Sequence, residues 1–129
     1  MRRPSLALAL AINRAVREPD EWFDEPDDLE RVARAVAAID AIEDPVEAAA
    51  VLACRVARAQ GFTEGNKRTG LLLARWVLDR NGIEGVVLLP PSDRRFSELL
   101  VKAASGLDVE DQAVALLVQR RSASGEREA

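Results

Sequence analysis

Residues Gln60–Gly70 read QGFTEGNKRTG, and the chain continues from Leu71 as LLLARWVLDRNG. From Asn66 onward, Leu72 and Trp76, with Leu73 and Val77, fall on inward stripes at helical spacing, and Asn81-Gly82 supplies the stop. The eleven residues therefore form a loop that opens a helix. A helix start exposes unpaired N–H groups and about half a positive charge, so Gly65-Asn66 leading into it makes a ready anion site. Asn66 adds an amide, Lys67 and Arg68 add cationic donors, and the arginine fork can hold a phosphate through two bonds. Glu64 places a hard oxygen beside them, which suits a magnesium ion that keeps several waters. The P-loop pattern fails, because Gly65 and Gly70 are not followed by the Lys-Ser/Thr that it requires. An ordinary helix start and a DNA-reading turn remain alternatives, although the second would want more positive charge than this chain carries.

Working outward, the segment before the loop begins with DPVE at 44–47, where Asp44 suits an N-cap, Pro45 the first helical position and Glu47 the third residue of a capping box. A helix to about Ala59 follows, whose Ala49, Ala50, Ala53 and Ala57 permit a close neighbour. Cys54 shares that spacing and reads as packing. Residues 5–17 give a helix with Leu6, Ala9, Leu10, Asn13 and Val16 on one side, and residues 28–42 another with Leu29, Val32, Ala33, Val36, Ala37 and Ile39 inward. Between them, eight acidic residues from Glu18 to Glu30 and two prolines mark an irregular connection, with Trp22 and Phe23 expected to pin it to the core. After Gly82, IEGVVLLPP at 83–91 predicts an extended flap over 83–89, closed by Pro90-Pro91. Helices over 92–105 and 108–121 follow, the last opened by Asp108. Residues 122–129 are expected to be a disordered tail.

Composition agrees with this outline. A chain of 129 residues with 48% hydrophobic and 4% aromatic content fits one all-α domain of about six helices. The net charge of -4 argues against general binding to nucleic acid or a membrane surface. The arginines and apolar run at residues 2–12 read as a core helix, since Asn13-Arg14 breaks the run and no cleavage site follows. No apolar stretch approaches the roughly 20 residues that span a bilayer. One cysteine fits a cytoplasmic protein. Histidine is absent altogether, which removes the commonest general base and metal ligand.

QGFTEGNKRTG resembles the signature loop of the Fic/Doc family, His-x-Phe-x-(Asp/Glu)-(Gly/Ala)-Asn-(Gly/Lys)-Arg-Thr, matching at Phe62, Glu64, Gly65, Asn66, Lys67, Arg68 and Thr69. The lysine variant is most similar to the Doc-like toxin branch. EDPVEAAAVLACRVARAQG, LDRNGIEG and VKAASGLDVEDQAVALL, at 43–61, 78–85 and 101–117, have Doc-like counterparts too. The resemblance implies an all-helical Fic fold and transfer of AMP or a phosphoryl group from ATP or another nucleotide to a protein hydroxyl. Doc-like relatives act as kinases on the translation machinery. It assigns Glu64 to Mg²⁺, Gly65 and Asn66 to the anion nest, Lys67 and Arg68 to the phosphates, and Phe62 to anchoring the loop. The 83–89 segment would be the flap beside the target. It also implies an antitoxin partner acting in trans, because SASGE at 122–126 continues with Arg127 and so departs from the family's internal inhibitory Ser/Thr-x-x-x-Glu-Gly/Asn.

The departure falls at Gln60, where the family has the histidine that takes the proton from the attacking hydroxyl. A carboxamide cannot accept a proton near neutral pH, and loss of a general base removes about 10²–10⁴ in rate. The expectation is an impaired transferase. The alternatives are a non-catalytic binder of nucleotide or partner and a Fic fold diverted to small-molecule chemistry.

Overall fold

The computed structural model describes residues 1–17 and 27–128, with side chains through Ser124. Trp22 and Phe23, with most of the acidic connection, lie outside the described residues. Among those described there are seven α-helices and no strand, so the chain is all-α: α1 (Leu6–Val16), α2 (Leu29–Ala37), α3 (Pro45–Ala59), α4 (Asn66–Arg80), α5 (Gly85–Leu88), α6 (Arg94–Ala104) and α7 (Glu110–Glu128).

Local chemistry sets most of the helix starts. Ser5, Asp28, Asp44 and Asp93 cap α1, α2, α3 and α6, each side chain accepting a first-turn N–H. At α3 the bond runs from Val46 N–H to Asp44 Oδ1 at 3.0 Å, with Pro45 in the first turn. Asp108 Oδ1 accepts the Glu110 N–H at 3.3 Å where α7 begins. The helical span of α7 takes in residues 122–128, beyond the end at Arg121 that the sequence pattern suggests.

Helix α3 is the axis of the molecule and packs against α2, α4, α6 and α7, while α1 lies across α2 and α4. Its alanines, Ala48, Ala49, Ala50, Ala53 and Ala57, are all fully buried. Small side chains let α4 come close: a Cβ placed on Gly70 would sit 2.8 Å from the Ala53 carbonyl oxygen. Leu73, Ala74, Val77 and Leu78 of α4 are completely enclosed, and Phe96, Leu100 and Leu117 close the other side of the core. On α2, Val32, Ala35, Val36 and Ile39 face inward or continue the face, whereas Leu29 is about half exposed and Ala37 lies on the outer side.

The expected extended flap over 83–89 is a correction. Residues Gly85–Leu88 form one helical turn, started by Asp79, whose Oδ1 accepts the Gly85 N–H at 2.7 Å, and closed by the Leu89 N–H on the Gly85 oxygen at 2.8 Å. The valines that suggested a strand, Val86 and Val87, are the exposed pair, while Leu88 and Leu89 turn into the core. The Leu88 and Leu89 carbonyls accept from Arg120 and Arg75, both at 2.8 Å. With those groups satisfied by side chains of α4 and α7, the segment has no need of a strand partner.

Both ends of α4 are tied to the first seventeen residues. At its C-terminal end Asn81 makes a reciprocal pair with Arg2, accepting its N–H at 2.7 Å and donating to its carbonyl at 2.9 Å. Its N-terminal end meets α1 at the candidate site.

Candidate functional site

The loop between α3 and α4 starts at Gln60, the C-cap of α3, held in the left-handed region at φ 50°. Its Nε2 donates to the Ala57 carbonyl at 2.7 Å, so the amide satisfies one of the last carbonyls of α3. Its Oε1 faces Asn66, whose Nδ2 stands 3.5 Å away.

Phe62 is buried in the core and carries the middle of the loop inward. Around it Asn66 makes a two-sided clamp: the Phe62 N–H donates to Asn66 Oδ1 at 3.0 Å, and Asn66 Nδ2 donates to the Phe62 carbonyl at 2.9 Å. The Asn66 side chain is thus turned into the loop and nearly buried. What it offers outward is its backbone N–H.

At Gly65 the chain turns through φ 76°, the left-handed conformation that glycine adopts without strain, and α4 begins. Gly65 provides no side-chain cap, and the first backbone bond of the helix runs from the Thr69 N–H to the Gly65 oxygen at 2.9 Å. No hydrogen bond from a described residue reaches the N–H groups of Asn66, Lys67 and Arg68, the donors of the first turn. Lys67 and Arg68 are exposed beside them. Glu64 is partly buried, and one of its oxygens lies 3.9 Å from an Arg68 guanidinium nitrogen, a loose pair that leaves both side chains able to take other partners.

Four residues that the motif does not contain hold this arrangement. Asn13, on α1 and almost completely buried, donates from Nδ2 to the Glu64 carbonyl at 2.8 Å and to Thr69 Oγ1 at 3.1 Å, bridging the loop to the first turn of α4. Arg17 grips Asp27 with two bonds, at 2.7 and 3.1 Å, and also donates to Thr63. Asp27 Oδ1 accepts the Thr63 N–H at 2.9 Å, and the Asp28 N–H donates to the Gly61 carbonyl at 2.7 Å. A lone asparagine on the apolar side of a helix was the visible trace of the first contact. The pairing of Arg17 with Asp27 and Thr63 had no signal in spacing.

Away from the loop, Cys54 is a packing residue. Burial, then the nearby charges of Glu110 and Asp108, push the Cys54 thiol up to about 12, which removes it as a nucleophile at neutral pH. Among the described residues no three His, Cys, Asp or Glu side chains gather as a metal cluster. A single carboxylate such as Glu64 still suits a magnesium ion that takes its other ligands from phosphates and water.

Among the described residues the arrangement is a glycine-led helix start with three open N–H groups, two cationic side chains and one carboxylate, braced from α1 and from the start of α2. It can hold an anion of the phosphate type with a hard cation alongside. The family model described as Fic/DOC family matches residues 5–78, which is more than half of the chain and includes Asn13, Gln60 and the whole of the loop. The chain belongs to the Fic/DOC family, and membership carries the expectation of nucleotidyl or phosphoryl transfer to proteins. No curated protein and no solved structure matched the chain.

Proposed function

We propose that this protein is a Doc-like, toxin-type member of the family that binds the phosphates of ATP or another nucleotide and has an impaired capacity to pass an AMP or phosphoryl group to a protein hydroxyl. The observation that carries the reading is the uncapped first turn of α4, with the Asn66, Lys67 and Arg68 N–H groups open beside Glu64. In this reading those N–H groups and the Lys67 and Arg68 side chains receive phosphate oxygens. Arg68 leaves its loose contact with Glu64 to do so. Glu64 would hold Mg²⁺, which neutralises phosphate charge when bound.

Gln60 supplies the impairment. Its amide is engaged by Ala57 and Asn66, and it has no lone pair basic enough to receive the proton of an attacking hydroxyl. The pieces that bind and orient are retained, and the piece that moves a proton is missing. Control by an antitoxin in trans, a protein target in the translation machinery and a cytoplasmic setting complete the proposal.

Binding is tested by titrating ATP, GTP, CTP and UTP with Mg²⁺ in a calorimeter. At least one should bind, and the Glu64→Gln and Arg68→Gln variants should weaken it; failure of all four sinks the reading. Turnover is tested with α- and γ-labelled nucleotide in a bacterial extract, comparing the natural sequence with Gln60→His. Transfer that rises on restoring the imidazole supports the impaired enzyme. Tight binding with no transfer in either protein favours the second reading, a non-catalytic nucleotide or partner binder, for which the engagement of Gln60 in capping α3 is the supporting observation.

A further inference from the structure

Outside the loop, the chain gathers four arginines around one groove. It is an open groove of about 280 Å³ between α2 and α3, lined by Arg31, Arg34, Arg55 and Arg58 with Ala35 and Ala59. None of Glu64, Gly65, Asn66, Lys67 and Arg68 lines it. Each helix contributes its pair at a spacing of three residues, about 4.5 Å of rise, so two short rows of guanidinium groups face a common space. Gathering like charges is unfavourable unless something compensates them, and this chain is acidic overall, at -4.

The compensation within the protein is partial. Arg31 meets Asp28 at 3.4 Å, Arg34 meets Glu30 at 2.8 Å and Arg55 meets Glu110, while Arg58 has no carboxylate partner among the described residues. The Arg34–Glu30 pair is exposed on both sides, 73% and 77%, so solvent screens it and an incoming anion can replace it at little cost. Each guanidinium has five N–H donors, and these pairs occupy only one or two of them.

We propose that this groove is a second anion site, which takes a small ligand carrying two or more linked phosphates. The fork geometry of arginine matches phosphate oxygens through paired bonds, and two rows of forks match a ligand with more than one such group. The volume lies just below the usual range of small-molecule pockets, about 300–1,000 Å³, which suits a small ligand. Two features argue against other occupants. Among the described residues the lining has no aromatic side chain on which a base would stack, which favours recognition of the phosphates over a nucleoside. Its apolar part is two alanines, whereas a docked protein segment is normally held by large apolar or aromatic anchors.

The site is independent of the transferase reading, and the experiment keeps the two apart. Inorganic triphosphate, without metal, is titrated into four proteins: the natural sequence, Lys67→Gln/Arg68→Gln, Arg55→Gln/Arg58→Gln and Arg31→Gln/Arg34→Gln. Binding should persist in the loop variant and fall by about tenfold or more in each groove variant, and it should weaken steeply with salt, as multiple phosphate contacts do. Arg58→Lys, which keeps the charge and loses the fork, should give an intermediate loss, and unchanged melting temperatures exclude a folding defect. Binding lost only in the loop variant, or no binding to any protein, overturns the proposal. So does hexaglutamate binding as tightly as triphosphate, which would identify an acidic peptide groove.

Discussion

At the scale of single residues, Gln60 and Asn13 carry the most consequence. Gln60→His should raise any transfer activity by the about 10²–10⁴ that a general base contributes, with nucleotide affinity little changed, because position 60 lies outside the donors of the α4 start. Activity unchanged in labelled-nucleotide assays would show that the loss lies elsewhere. Asn13 works through the loop. Replacing it with Ala leaves the Glu64 carbonyl and the buried Thr69 hydroxyl without their partner, which should cost about 1–3 kcal/mol in a denaturant titration and weaken nucleotide binding as well. An Asn13→Ala protein of natural stability and affinity would remove it from the list of bracing residues. Cys54 makes a third case: with its pKa near 12, a thiol reagent at pH 8 should modify it only at the rate at which the protein opens. Fast labelling of the folded chain would contradict the burial. The motif could be singled out because a glycine-led helix start followed by two cationic residues is a local pattern. Asn13 showed only as a polar residue on an apolar face, and Arg17 and Asp27 gave no sign, since their partners lie 10 to 56 positions away and only the fold brings them together.

At the scale of elements, helix starts were readable where their causes are local: Asp44 with Pro45, and Asp108 ahead of its helix. The turn at 85–88 was misread for the opposite reason. Its valines alternate with nothing and carry high strand propensity, but Asp79, Arg75 and Arg120 satisfy the turn's backbone from other helices. The α3–α4 contact was foreshadowed by the alanines of α3, and Gly70 is its counterpart. Gly70→Val should destabilise the protein by about 1–3 kcal/mol, since even its Cβ would meet the Ala53 carbonyl. Denaturation midpoints test this directly, and a variant as stable as the natural sequence would show that the two helices can move apart.

At the scale of the whole molecule, the all-α class followed from composition and periodicity, whereas the way the helices enclose α3 depended on contacts that spacing does not encode. One long-range tie also predicts a pH response. Burial raises the Asp93 carboxyl, but hydrogen bonds from Arg120 and from the Phe96 N–H, the charge of Arg120 and the Arg95 N–H outweigh it and hold the group below its ordinary value. A depressed carboxylate contributes stability above its unfolded pKa of about 3.9, and that contribution is lost as pH falls through the folded value. The natural protein should therefore lose more stability than Asp93→Asn on acidification below about pH 4. Parallel curves for the two proteins would show that the tie with α7 does not matter. The two attachments of α4 to the N-terminal segment have a consequence of another kind. Arg2 fastens one end of that helix and Asn13 steadies the other, so residues 2–13 serve as a splint along the element that carries the Asn66, Lys67 and Arg68 N–H groups. Deuterium uptake at Phe62–Asn66 should then rise in step with detachment of α1, and a ligand resting on the α4 start would be felt as a tightening of the molecule's own first residues.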